Sequence, residues 1–170
     1  MDEFKVPSAA TVNSVVADKL DKIDKLFESV DIKELVRYDR KISEISSFSV
    51  VMASHYLKDF IEAIDVTNKM LSVALMVQNK SKALLDEAKS IAYLDNATSF
   101  LASRQMKDTV DARKAYVDRD PDVIRAKDIH ARSEAYVTML NNKLWAFRYA
   151  HDDVKKIAYG DQKLTNFEGM

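Results

Sequence analysis

Asp120-Pro121-Asp122-Val123-Ile124, and the run that continues from it to Ala158, is written as a helix start followed by one long helix. Asp120 is placed to accept from the first free backbone N–H groups. Pro121 at the first helical position gives up a donor that had no intrahelical partner. Asp122 faces the positive end of the helix dipole. Apolar residues then recur at Ile129, Tyr136, Leu140, Leu144, Phe147, Ala150, Val154 and Ile157, in steps of three and four from Tyr136 onward. No Gly or Pro interrupts the run before Gly160. At 1.5 Å per residue such a helix would be about 55–60 Å long, more than the width of an ordinary domain of this size. It reads as a packing helix, shared with other helices or with other subunits.

Outward from that helix the rest of the chain is equally poor in breakers. Only 2 Gly and 2 Pro occur in 170 residues, and neither type lies between Pro7 and Pro121. A β-rich fold needs tight turns, and tight turns need these residues. The expected class is therefore all-α: about five helices including two long ones, as a helical bundle or a coiled-coil-like oligomer. A first amphipathic helix is expected over Asn13–Ser29, with Val16, Leu20, Ile23, Phe27 and Val30 inward after an irregular start. Asp31 with Glu34 resembles a capped start for a second helix over Ile32–Ile45, with Leu35, Tyr38 and Ile42 inward. The serines of Ser46–Val51 mark a break, loop or extended segment. A long helix over Ser54–Asp95 follows, diluted by Thr67, Asn68, Gln78, Asn79 and Ser81. A turn at Asp95-Asn96-Ala97-Thr98 leads to a basic amphipathic helix over residues 98–118, closed by the disfavoured α conformation before Pro121. Gly160 reads as the stop of the last helix. The organisation expected is an acidic helical segment over 1–45, a long-helix core and oligomerisation region over 46–158, and a tail over 159–170.

Composition removes several function classes. The chain has no Cys, so disulfide, cysteine–metal and thiol chemistry are excluded. Asp2 and Glu3 at the start do not read as a signal peptide, and apolar runs fall far short of a membrane span, so a cytoplasmic protein is expected. His55, His130 and His151 show neither Glu-x-x-His nor His-Glu-x-x-His spacing, so neither a metal nor another cofactor is expected. Adjacent acids such as Asp86-Glu87 and Asp152-Asp153 point to different sides of a helix, which fits solvation better than acid–base catalysis. No glycine precedes position 160, so no Gly-rich loop cradles a phosphate.

Net charge is −1, yet the charge is uneven. Residues 66–119 carry nine Lys/Arg against six Asp/Glu, while the N-terminal third is acidic. Lys80, Lys82 and Lys89, then Arg104, Lys107, Arg113 and Lys114, lie among Tyr93, Phe100 and Tyr116. Cations that track phosphates beside aromatic faces that stack bases are how single-stranded nucleic acid is held. The plainer alternative is that Phe100 and Tyr116 are core and the lysines coat a solvated face. On the last helix, Trp145 and Tyr149 lie beside the Phe147 stripe, an apolar face wide enough for burial on two sides. Tyr136, Leu140, Leu144, Trp145, Phe147, Val154 and Ile157 are the candidate self-association residues.

The run from Arg113-Lys114-Ala115-Tyr116-Val117-Asp118-Arg119 through Asp120-Pro121-Asp122-Val123-Ile124, followed by a helix with Tyr136 and Trp145 and the ending Val154-Lys155-Lys156-Ile157, resembles the C-terminal half of the UvsY-type recombination mediators of T-even-like phages. The shared order is a basic helix, a short acidic turn, a long helix and a basic ending. It covers about residues 50–158 in layout and about 105–158 in residue pattern. The resemblance implies a non-enzymatic homo-oligomer, a ring of identical subunits in the cytoplasm of an infected bacterial host. It also implies binding of single-stranded DNA and help for a RecA-like recombinase in replacing the single-strand-binding protein. The family's Lys-Ala-Arg contact motif has its nearest match at Lys82-Ala83-Leu84, where the Lys is retained and the Arg is not. The Gly-rich loop that follows it in the family is missing. The competing reading is a phage structural or protein-interaction module, a virion component or host-protein inhibitor built on helix packing.

Overall fold

A computed structural model describes residues 9–28, 32–47 and 49–165. The chain is helical, and among the described residues there is no strand. The elements are α1 (Ala9–Glu28), α2 (Lys33–Glu44), α3 (Ala53–Ile91), α4 (Ala97–Ser103), α5 (Val110–Val117) and α6 (Pro121–Thr165), with short 3₁₀ turns at Ile45–Ser47 and Val50–Met52. A π-helical turn, Ala92–Asn96, joins α3 to α4 without a break. The described chain is thus five continuous helical rods, two of them long, as the scarcity of Gly and Pro predicts.

Two compact units divide the chain: Met1–Ser29 with Leu75–Ala135, and Val30–Ala74 with Tyr136–Met170. This grouping by contact in space does not coincide with the expected boundaries at 45/46 and 158/159. In the first unit the buried stripe of α3 is Val77, Ser81, Leu84 and Ala88, continued by Ala92 of the π turn, and that of α6 is Val123, Ala126, Ile129 and Ser133. Steps of three and four keep one side of each helix inward, the spacing of knobs-into-holes packing. Val16, Leu20 and Ile23 of α1 complete that core. Lys19 reaches Glu87 at 2.7 Å, and Arg125 and Arg132 of α6 reach Asp24 at 3.5 and 3.0 Å, with Arg125 also on Asp21. These pairs are partly exposed and set register more than stability. Inside the unit, the hydroxyl of Ser81 lies 3.0 Å from that of Ser133 and 3.1 Å from His130 Nδ1. Ser81 also donates to the Gln78 carbonyl at 2.8 Å, so buried polar atoms have partners there.

In the second unit Ala53, Tyr56, Phe60, Ala63 and Thr67 line α3, and Val137, Leu140, Phe147, Ala150 and Val154 line α6. Leu35 and Tyr38 of α2 close the core, with Tyr38 edge-on to Phe147 at 6.0 Å between ring centroids. Arg37 pairs with Glu62, Lys41 with Asp59, and Tyr56 donates to Glu44, so α2 runs antiparallel to this part of α3.

Several expected boundaries are corrected. Helix α1 begins at Ala9 rather than Asn13, and the side chains of Phe27 and Val30 lie outside the described residues. The Asp31 cap also lies outside them, and Ile32, which precedes α2, makes no side-chain cap. The Ser46–Val51 break is two 3₁₀ turns flanking an extended Ser49. The turn expected at residues 95–98 is absent, because the chain stays wound through the π turn into α4. The single helix expected over 98–118 is instead α4, a loop, and α5. Gly160 does not stop α6, which runs through to Thr165. A Cβ at Gly160 would meet nothing within 4 Å, so this glycine serves neither a close approach nor a turn.

Candidate nucleic-acid interface

The basic residues from Lys80 to Arg119 lie in the first unit, and the shape of their surroundings comes from how α4 ends. The Met106 N–H donates to the Leu101 carbonyl at 2.9 Å and the Gln105 N–H to the Ala102 carbonyl at 3.1 Å. That pair is the Schellman closure, and it requires the residue after the C-cap to turn left-handed. Here that residue is Gln105, at φ 53°. The chain leaves the helix and restarts at Thr109, whose extended backbone and side-chain oxygen cap α5 by accepting from Ala112 N–H at 3.2 Å. Between the two, Arg113 grips Asp108 with two bonds of 2.7 and 2.6 Å, closing the loop back on α5. The Arg113 guanidinium holds the Asp108 carboxyl below the ordinary carboxylate range.

Asp120 does what its position before Pro121 predicts. Its Oδ1 accepts from Asp122 N–H at 3.0 Å and Val123 N–H at 3.2 Å, and its Oδ2 accepts from the Asn96 side-chain amide at 3.2 Å. The cap is 4% exposed and ties the π turn to the start of α6. The favourable dipole position expected for Asp122 is offset, since burial and then the Asp120 charge push its carboxyl up.

Helix α5 has a cleft on each side. Lys114, Val117 and Asp118 face a groove of about 560 Å³ completed by Asp86, Lys89, Ser90, Tyr93 and Leu94. Ala112, Ala115 and Tyr116 share the opposite face at i, i+3 and i+4 and, with Arg119 from the turn after α5, line a second cleft with Phe100, Leu101, Met106, Asp120 and Pro121. In the first groove the half-buried Tyr93 ring sits under the Arg113 guanidinium at 5.5 Å from its centroid.

The structure brings Lys89 and Lys114 together across the Tyr93 groove, with Lys82 exposed two turns earlier on the Lys89 face of α3 and Lys80 exposed nearby. Arg113 is held by Asp108 and is not free for a phosphate. Lys107 does not share a helix face with Lys114, because the Schellman closure puts it in the loop. Arg104 is exposed at the end of α4, its guanidinium 5.6 Å from the Phe100 ring centroid. Outside the ion pairs of Lys19–Glu87, Arg113–Asp108 and Lys127–Asp118, the cations Lys80, Lys82, Lys89, Arg104, Lys107, Lys114 and Arg119 face only Asp86, Asp95 and Asp111 among the described residues of this segment. A nearly neutral sequence thereby carries a locally positive surface. Arg119 and the π turn that presents Tyr93 and Leu94 were missed in the sequence.

Phe100 and Tyr116 are paired at 5.1 Å between ring centroids, with Phe100 40% exposed, so the plain-core alternative holds for neither ring completely. Burial raises the Tyr116 phenol, and the Asp120 carboxylate adds to it. The self-association candidates divide. Leu140, Phe147 and Val154 are fully buried in their own unit, Leu144 nearly so, and Tyr136 is half-buried. Trp145 and Ile157 are exposed, and Trp145 stacks on exposed Tyr149 at 5.9 Å under the Arg148 guanidinium. Among the described residues no cluster of ligands could hold a metal, and no helix is long and apolar enough to cross a membrane. No protein-family model, no curated protein and no solved structure matches this chain.

Proposed function

We propose that the chain is a non-enzymatic accessory protein that binds single-stranded DNA without reading its sequence and helps a RecA-like recombinase displace a single-strand-binding protein. One observation supports the DNA-binding part: Tyr93 lines a groove together with Lys89 and Lys114, neither of which forms an ion pair among the described residues, although Asp86 and Asp118 line it too. An aromatic face between cations is a platform for a base with its flanking phosphates. The recombinase, the single-strand-binding protein, the ring of like subunits and the bacterial cytoplasm come from the resemblance to UvsY-type mediators. Fluorescence anisotropy with labelled oligo-dT tests the reading. Affinity should fall with salt at a slope of about −0.7 for each phosphate neutralised. Lys89→Glu with Lys114→Glu should weaken binding at least about tenfold, since two favourable charges become two repulsive ones. Binding that ignores salt, or none at low salt, removes the proposal.

A second reading, a phage structural or host-protein-binding module, is favoured by the exposed Trp145–Tyr149 stack, since large aromatics on a helix surface mark protein contacts. Light scattering with and without the oligonucleotide separates the two. An oligomer that shifts the oligonucleotide supports the mediator, and a defined assembly indifferent to it supports the module.

A further inference from the structure

The cleft on the other face of α5 has a different chemistry from the Tyr93 groove. Its volume is about 380 Å³, at the low end of the range of about 300–1,000 Å³ typical of ligand sites. It is lined by buried Leu101, by Ala112, Ala115 and Pro121, by the Phe100–Tyr116 ring pair and by Met106, which is 53% exposed. The one carboxylate at its inner end, Asp120, already accepts from two backbone N–H groups and an amide. Apart from the Tyr116 hydroxyl and the Arg119 guanidinium, no lining side chain is left to satisfy the polar edge of a base, and burying the rest of that edge unpaired would be costly. An apolar side chain meets no such penalty. The rim is of one sign: Arg119 lines the mouth, Arg104 lies over Phe100, and Lys107 is exposed beside Met106. None of the three has a carboxylate partner among the described residues.

From this apolar lining and cationic rim, we infer that the cleft between α4, the 104–109 loop, α5 and the start of α6 docks an acidic peptide segment of a protein partner, with an apolar side chain as its anchor. The anchor enters the cleft and flanking carboxylates meet Arg104, Lys107 and Arg119. This surface is separate from the Tyr93 groove, so the inference stands or falls independently of DNA binding.

The test uses the full chain and a series of fluorescein-labelled peptides in which Leu-Phe, Ile, Met or Trp is flanked by aspartates. At least one should raise anisotropy saturably. Replacing its anchor with alanine should weaken binding about tenfold, and so should Arg104→Glu or Met106→Glu, both at exposed positions. A lysine-flanked version should not bind. Circular dichroism confirms that both variants keep their helix content. The inference is overturned if no acidic peptide binds. Binding that ignores the sign of the flanks, or both substitutions, overturns it too. So does loss of oligo-dT binding in Met106→Glu, which would make the cleft a nucleic-acid site. A change in the mass of Met106→Glu by light scattering would make it an interface between copies of the chain.

Discussion

Gln105 occupies a conformation that an L side chain adopts at a cost of about 1 kcal/mol, and the Schellman closure of α4 leaves it no alternative. Gln105→Gly removes that cost and gives back part of it in unfolded-chain entropy, so it should stabilise by about 0.5 kcal/mol in chemical denaturation. Asp120 is the opposite case. Asp120→Ala loses the cap and the hydrogen bond from Asn96, and should destabilise by about 2 kcal/mol, whereas Asp120→Asn, which still caps, should cost less than half as much. Asp108 gives the pH dependence. Its carboxyl is depressed by Arg113, so the contribution of the pair is present above the unfolded value and is lost as pH falls through the lower folded value. A carbon-detected NMR titration should find Asp108 titrating below the ordinary value of an aspartate, and Arg113→Ala should return it to the ordinary range. At this scale the sequence was legible where a side chain acts on its own backbone, as Asp120 does. It was misleading where the side chain acts at a distance. Asn96 resembles a turn former, but its amide is engaged by Asp120, and the backbone around it stays helical.

Among the elements, the inward stripe of α6 could be read from spacing, whereas for α3 only the helix itself could: Thr67 and Ser81, which looked like interruptions of its apolar stripe, are buried, while the apolar Ile61 and Leu75 are exposed. The loop at 104–109 could not, because its stop signal is normally a glycine and here it is a glutamine. Gly160 produced the converse error, a stop signal inside a helix with open space around it. Helix α5 is the least anchored element: it has eight residues and none fully buried. A helix so short has little stability of its own. Its amides should exchange with solvent faster than those of α3 and α6, as read by hydrogen–deuterium exchange, and Thr109→Ala, which removes its cap, should speed them further. The core contrasts with this. Phe147→Ala removes a fully buried ring and should cost about 3–5 kcal/mol in urea unfolding.

The long apolar stripe of the last helix suggested a subunit interface from sequence, but most of that stripe is covered within its own unit. What remains is the narrower strip of Trp145, Tyr149 and Ile157. Sequence spacing gave the width of the apolar face but not which part would be covered, since α2 approaches from a hundred residues away in the chain. Trp145 is the only tryptophan, which makes the proposed self-association directly visible. Its emission should shift to the blue and resist acrylamide as concentration rises, and Tyr149→Ala should suppress both changes. Helix α5 has a further consequence, because it is a wall common to two recesses and is weakly held. A ligand that tilts it to fit one recess changes the free energy of filling the other. By linkage the effect must be reciprocal: an acidic segment that loosens the grip on a polyanion must itself be released by that polyanion, by the same factor. Two occupants that never touch would thereby regulate one another through eight residues of backbone.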